Sequence, residues 1–415
     1  RLDLLDPATR RVLRAAAVVG RRVELDLLGE LIADGIDLAA WRGATDLVDL
    51  DPTEGRVEFR HDLVREAAYA GLSQRRRRQL HRRLADVLQV RGDSDAATLA
   101  RHYSEAGDDQ AAWDWCRRAA EDAAERHAVR ESAELWRRAL RSARRVDADA
   151  DETLEVWQRL ADAERRAGRL ADAGGALRSA PTLASTLGRP SRIAALAADA
   201  ATVEQYRSRF RAALLAVARG HRALGAADTP AACAARARLA VRASGIRFQQ
   251  GRLAASVELG DQAVSEAERS EDPAAVAASL VALALALGGA REARADAVAE
   301  AAEAACRGVQ DWSGVANVLN NRGVSRWFAG DPVAGTADFE RAAEASDRCG
   351  DVLGGAIARC NQAETLIEQG RHAEAEQVLG NARRTFVALG DEFMVACVAS
   401  ARSTIAARDG RFDDA

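Results

Sequence analysis

The side chains in this 415-residue chain that could do chemistry are six histidines, six cysteines and many arginines. The histidines are His61, His81, His102, His127, His221 and His372; no two stand at ligand spacing with a cysteine or an aspartate, which argues against a metal site. Cys116, Cys233, Cys306, Cys349, Cys360 and Cys397 form no C-x-x-C pair and fall in helical patterns, so they read as buried, reduced thiols of a cytoplasmic protein. All 59 basic residues are arginine, so these residues contain no phosphate-loop lysine and no Schiff-base lysine. There is no G-x-S-x-G nucleophile motif. The acidic residues follow helix surfaces with arginines three or four positions away. Arg75–Arg78, Arg82 and Arg83 make one basic helix. With a formal net charge of −4, that helix reads as a solvated face or interdomain contact, not as a DNA reader. No catalytic centre is expected within this chain.

The elements that would hold these side chains are helices. Seven prolines and 4% aromatics in an Ala-, Leu- and Arg-rich chain suit close helix packing, not sheets. A repeat sets the pattern. Turns recur at Gly168, Ser208, Gly251, Ala290, Gly330, Gly370 and Gly410, at spacings of 40, 43, 39, 40, 40 and 40 residues. A second turn falls half a period later, at Gly188, Glu271, Gln310, Gly350 and Gly390. Two turns per period predict two helices of about 15–17 residues per unit. Small residues stand five positions after each turn (Ala173, Ala213, Ser256, Ala295, Gly335, Ala375, Ala415) and again seven later (Ala180, Gly220, Ala263, Ala302, Ala342, Ala382). Such residues let crossing backbones approach while one larger residue fills the remaining hole. In the best unit these are Gly323, Gly330, Gly335, Phe339 and Ala342, an order that resembles the tetratricopeptide pattern with longer helices. Gly107 marks an earlier, less regular unit. Six of the seven tryptophans fall in repeat helices and read as core or inter-repeat filling, some able to face a ligand. The apolar stretch from Ala274 to Gly289 is short for a membrane span and reads as a buried repeat helix.

Residues 1–92 lack the period. Helices are expected at Pro7–Val19, Leu25–Ala33, Leu38–Leu50, Asp62–Leu72 and from an N-cap at Ser73 to Val90, with a turn at Asp51–Gly55 and a strand at Arg56–Arg60. The segment Phe59-Arg60-His61-Asp62-Leu63-Val64-Arg65-Glu66-Ala67-Ala68-Tyr69, with Leu80-His81-Arg82-Arg83-Leu84-Ala85 after it, resembles the winged-helix region of STAND-type signalling ATPases. Bacterial members include large LuxR-type regulators and ATPase-linked nucleotide cyclases. Leu99-Ala100-Arg101-His102-Tyr103 and Ala106-Gly107-Asp108 resemble the start of their repeat arm. The likeness implies that His61-Asp62 stands for the end of that superfamily's Met-His-Asp motif, with Arg60 in place of Met, and that His61 contacts the β-phosphate of ADP in an inactive state. Without it, His61 simply ends a strand and packs locally.

The expected fold is all-α: a winged-helix-like module at 1–92, then a right-handed tetratricopeptide-type α-solenoid at 93–415. A chain beginning at Arg1 and ending at Ala415 inside a repeat reads as an internal fragment. The expected function is the sensor and autoinhibitory arm of a nucleotide-dependent signalling or transcription regulator. Its partners would be its own upstream ATPase domain and a small-molecule or peptide effector in the repeat groove, with no membrane and no DNA through this segment. No cofactor is expected within the chain; ADP or ATP belongs to the parent protein, which could itself be an ATPase or cyclase. The competing readings are a stand-alone scaffold for protein partners and a DNA-binding winged-helix protein.

Overall fold

The helices stop where the backbone turns left-handed. A computed structural model describes residues 2, 5–32, 41, 44–51, 53–92 and 94–411. Gly107, Gly168, Gly251, Gly330 and Gly370 have φ between +71° and +91°, a region that costs glycine nothing and lets the helix-end amides fold back onto the last carbonyls. Ser208, Glu271 and Gln310 take the same conformation without glycine, at φ +57°, +56° and +58°. At the turn expected on Ala290 the left-handed residue is Arg291 (φ +55°), because the helix before it runs one residue further.

The chain divides into two compact units, Arg1–Leu183 and Ala184–Ala415. The first contains α1 (Pro7–Val19), β1 (Arg22–Glu24), α2 (Leu25–Leu31), β2 (Val48–Asp51), β3 (Arg56–Phe59), α3 (Asp62–Ala70), α4 (Gln74–Arg91), α5 (Ala96–Ala106), α6 (Asp109–Glu125), α7 (Val129–Val146) and α8 (Ala150–Arg166). The next helix, α9 (Leu170–Thr186), spans the division. The three strands form an antiparallel sheet in the order β1-β3-β2, with Val57 opposite both Val23 and Leu50. Leu13, Ala16, Leu28, Trp41, Val57, Phe59 and Leu84 form its core with α1, α2 and α4. The helix expected at Leu38–Leu50 is corrected: 33–40, 42 and 43 lie outside the described residues, and Val48–Asp51 pairs as a strand with β3. Alternating Val48 and Leu50 turn one face to the core, and the hairpin partner supplies the hydrogen bonds that a helix would otherwise satisfy internally. Strand β1 is an addition to the expected elements, since three residues carry too little periodicity to read. Ser73 caps α4 as expected, its Oγ accepting from the Arg76 amide at 3.3 Å.

The second unit is a run of antiparallel pairs. Its A helices are α10 (Pro190–Tyr206), α12 (Pro230–Gln249), α14 (Pro273–Ala290), α16 (Trp312–Phe328), α18 (Val352–Glu368) and α20 (Glu392–Arg408). Its B helices are α11 (Phe210–Leu224), α13 (Leu253–Arg269), α15 (Ala295–Gly308), α17 (Pro332–Arg348) and α19 (His372–Leu389). Ala180, Gly220, Ala263, Ala302, Ala342 and Ala382 are all buried where helices cross. Gly323 shows why: a Cβ there would lie 2.8 Å from Cε1 of the fully buried Phe339 ring. Of the cysteines, Cys349 is half-buried and Cys397 is exposed, a correction to the expectation that all six are buried. Helix α14 is long and apolar enough, by length and composition, to cross a membrane, yet it packs against α12, α13, α15 and α16 as a repeat helix.

Candidate functional site: a groove on the A-helix row

Successive A helices touch directly, from α10 to α20, so their exposed faces form one row. Polar side chains tie neighbours together. Gln205 of α10 donates to Gln249 of α12 at 3.1 Å, Asn361 of α18 to Asn320 of α16 at 2.9 Å, and Trp327 Nε1 of α16 to Glu368 of α18 at 2.6 Å.

The row opens into a groove of ≈ 670 Å³ between α14 and α16, walled by the α14–α15 turn. Local sequence explains its shape. Asp272 caps α14 by accepting from the Ala274 amide, and Pro273 sits at the first helical position, where no amide is needed. Val281, Ala284, Leu285 and Gly288 fall on one helical stripe and face Val318, Asn321 and Ser325 of α16. The Gly288-Gly289 pair lets three helices converge: a Cβ on Gly288 would stand 2.7 Å from Ser325 Oγ, and one on Gly289 would collide with the Phe248 ring. At the end of α16, Phe328 stacks on Trp327 with ring centroids 5.5 Å apart and remains 67% exposed. Tyr206 occupies the equivalent place two residues before its turn and is also exposed.

A buried ion network supports the polar wall. Arg322 holds Asp338 through two bonds, 2.9 and 2.6 Å, and approaches Glu303 at 3.6 Å. Arg326, which lines the groove, shares Asp338 at 2.9 Å and approaches Asp296 at 3.6 Å. The hydrogen bonds that Arg322 donates to Asp338 outweigh burial and keep Arg322 above its ordinary pKa. Arg322, Asp338 and Glu303 are all buried, so charges that sequence spacing assigns to helix surfaces here lie in the core. The Arg326 head is held at the groove edge by Asp338, which is buried and clamped by Arg322, and by Asp296.

The first unit holds a different arrangement. His61 is the N-cap of α3, exposed, with an extended backbone (φ −137°, ψ 137°) and a side chain that caps nothing. Asp62 follows at the first helical position, 3.9 Å from Arg21. The exposed imidazole thus stands at the N-terminus of α3, whose dipole favours an anion, while the Val64 amide already donates to the His61 carbonyl at 3.0 Å.

A second histidine feature has no local signal in the sequence. His81 of α4 and His102 of α5, 21 residues apart, bring their Nδ1 atoms to 2.8 Å in the core. Arg101 lies 3.1 Å from His102 Nε2, and the Tyr69 hydroxyl of α3 lies 3.0 Å from His81 Nε2. One neutral assignment satisfies every contact. Arginine only donates, so His102 Nε2 accepts and its Nδ1–H donates to His81, whose Nε2–H then donates to Tyr69. Burial first, then the neighbouring arginines, push His81 down to about 4 and His102 to about 3. A relay of neutral imidazoles thus joins α3, α4 and α5. Among the described residues, no group of three or more His, Cys, Asp or Glu side chains could hold a metal.

The repeat-signature positions Gly107, Gly168, Gly251, Gly330 and Gly370 sit in turns, and Gly323, Phe339 and Ala342 pack where α16 crosses α17. None of them lines the groove.

No known protein-family signature matches the chain. One stretch of 118 residues, 26% of the chain, is 37% identical to 11% of an uncharacterised protein of Rhizobium meliloti (strain 1021). Among solved structures, the chain is similar to a signal-transduction ATPase with numerous domains and a tetratricopeptide repeat sensor from Pyrococcus horikoshii. The TM-score is 0.51 and the identity 10%, covering 98% of this chain and 60% of that one. It is similar to the apo quorum sensor NprR of B. thuringiensis, with a TM-score of 0.53 and 11% identity, covering 87% and 99%. It is also similar to a Rap protein complexed with competence and sporulation factor, with a TM-score of 0.50 and 12% identity, covering 71% and 80%. The fold is a tetratricopeptide-type α-solenoid. The chain spans only about a tenth of the curated relative and three fifths of the ATPase.

Proposed function

We propose that this chain is the sensor arm of a cytoplasmic, nucleotide-dependent signalling regulator and that the α14–α16 groove receives its effector, a peptide segment. The observation that carries this reading is the groove itself: an apolar wall of Val281, Ala284 and Leu285 facing Asn321, Ser325 and an anchored Arg326. Apolar anchoring with a few fixed polar groups is what peptide recognition requires. The similar solved structures support it, since one carries a repeat sensor on an ATPase and another is complexed with competence and sporulation factor. Residues 1–92 act, in this proposal, as a winged-helix-like module preceding the repeats at 93–415; the β1-β3-β2 sheet behind α1 and α2 supports that assignment. This module couples the arm to an ATPase domain of the parent protein, with His61 and Asp62 at the ADP β-phosphate. The chain itself supplies no catalytic group in this scheme.

The groove is tested with a peptide selected from a display library against the whole chain. Leu285→Glu, which puts a charge on the apolar wall, should weaken that peptide at least about tenfold. Undiminished binding contradicts the assignment. The nucleotide link is tested separately in the parent protein: His61→Ala should weaken ADP by calorimetry. Unchanged ADP affinity removes the link and leaves a stand-alone protein-binding scaffold.

A further inference from the structure

In the first unit, α1 and α4 bound a pocket of ≈ 290 Å³. Arg10, Arg11, Arg14 and Arg76 line it, over an apolar floor that includes Ile32, Leu72 and Leu80, and the Arg10 guanidinium donates to the Leu2 and Leu5 carbonyls at 3.2 and 2.7 Å. Among the described residues, no carboxylate lines it. We propose that this pocket binds the phosphate or pyrophosphate group of a small ligand, with Arg14 and Arg76 as the two prongs.

Three observations converge on an anion. The charge on the two helices is one-sided: α1 has three arginines and no acid within it, and α4 has seven against Asp86 alone. The Asp6 carboxylate that caps α1 is engaged by the Ala8 and Thr9 amides at 2.9 Å, and by the Thr9 hydroxyl. Arg14 has no hydrogen-bonded or ion-paired carboxylate among the described residues, and Arg76 bonds only Gln79, at 3.4 Å. Arg137 in the repeats is a contrast: it meets Glu134, Glu164 and Asp172.

Next, the position of Arg14 is built. Its guanidinium lies against Gly71, where an added Cβ would be 2.8 Å from NH2, so the missing side chain makes its seat. Finally, Arg76 sits in the first turn of α4, an 18-residue helix, so the positive end of that helix dipole adds to the pocket. Planar guanidinium forks match phosphate oxygens bidentately, and the positive charge of Arg14 and Arg76 at one concavity favours an anion there. A pocket of this size holds one such group; it offers no groove for a duplex. It shares no residue with the α14–α16 groove or with His61 and Asp62.

The test is calorimetry on the whole chain at low salt, with inorganic phosphate, inorganic pyrophosphate, ADP and a duplex oligonucleotide as separate probes. Pyrophosphate should bind, with a shallow salt dependence set by the few charges it neutralises. Arg14→Gln and Arg76→Gln should each weaken it about tenfold or more, the scale of one charge-assisted pair. Arg14→Lys should fall between, keeping charge but losing the fork. Gly71→Ala, which moves Arg14 without changing any charge, should also weaken it, while Arg384→Gln on α19 should not. Far-UV circular dichroism confirms that each variant is folded. ADP binding with the same arginine dependence identifies a nucleotide as the source of the phosphate; pyrophosphate binding without ADP binding identifies a free phosphate compound. The proposal is overturned if pyrophosphate fails to bind, if both glutamine variants bind it like wild type, or if the oligonucleotide binds with a steep salt dependence that excess pyrophosphate does not displace.

Discussion

Gly323 and Phe339 offer a test of repeat packing in which a sign reverses. A Cβ at position 323 would stand 2.8, 2.9 and 3.1 Å from Cε1, Cδ1 and Cζ of Phe339. Favourable carbon contacts lie near 3.5–4.0 Å, so each is short by about half an ångström or more. The ring is fully buried and cannot swing into solvent. Overpacking of this kind costs roughly 1–3 kcal/mol. Alanine in place of a mid-helix glycine returns about 1 kcal/mol of backbone entropy. Gly323→Ala is therefore neutral to destabilising by about 2 kcal/mol. Phe339→Ala alone costs about 3–5 kcal/mol for the lost ring and its cavity. In that background the clash is gone, so adding Gly323→Ala stabilises by about 1 kcal/mol. Urea unfolding followed by far-UV circular dichroism, with amide exchange on α16 and α17 to localise the effect, measures all four corners of the cycle. If Gly323→Ala stabilises the wild-type chain as much as the Phe339→Ala chain, the close approach at this crossing is refuted.

Two further outcomes follow from the buried polar groups. His81 and His102 titrate near 4 and 3 in the folded chain against an ordinary 6.5. Between those values the unfolded chain binds protons that the folded one does not. Stability must therefore rise with pH up to about 6.5 and level off above it, by on the order of 1.4 kcal/mol for each tenfold loss of a histidine's proton affinity on folding. Urea midpoints at pH 4.5 and 7.5 read this; in His102→Gln the difference should shrink, and an unchanged difference contradicts the neutral relay. Arg322→Ala leaves Asp338 buried with Arg326 as its main partner, and should cost about 3 kcal/mol by thermal or urea unfolding. A loss under about 1 kcal/mol would mean that the ion network contributes little.

Much of the repeat is legible in the sequence because its signals are local. A left-handed helix end favours glycine, so the turns can be read at Gly168, Gly251, Gly330 and Gly370. The small residues at crossings recur with the same period. Where glycine is absent, the turn can slip, as from Ala290 to Arg291. Strand β2 reads as helix in the sequence because Val48-Asp49-Leu50 is too short to separate the two periodicities, and only its partner β3 decides. The groove, the histidine relay and the ion network are illegible for one physical reason: each is made across helices. His81 meets His102 over 21 residues and Arg322 meets Asp338 over 16, separations that no helical period encodes. The glycines at 288 and 289 can be seen only as the end of an apolar stretch, whereas their role is to admit Ser325 and Phe248.

The central claim, that the A-helix row of the second unit receives a peptide effector, is tested most directly by hydrogen–deuterium exchange on the whole chain with and without a display-selected peptide. Slowed exchange in α14 and α16, lost in Leu285→Glu, is the predicted result. Protection confined to the B helices or to residues 1–92, with α14 and α16 unchanged, would contradict it.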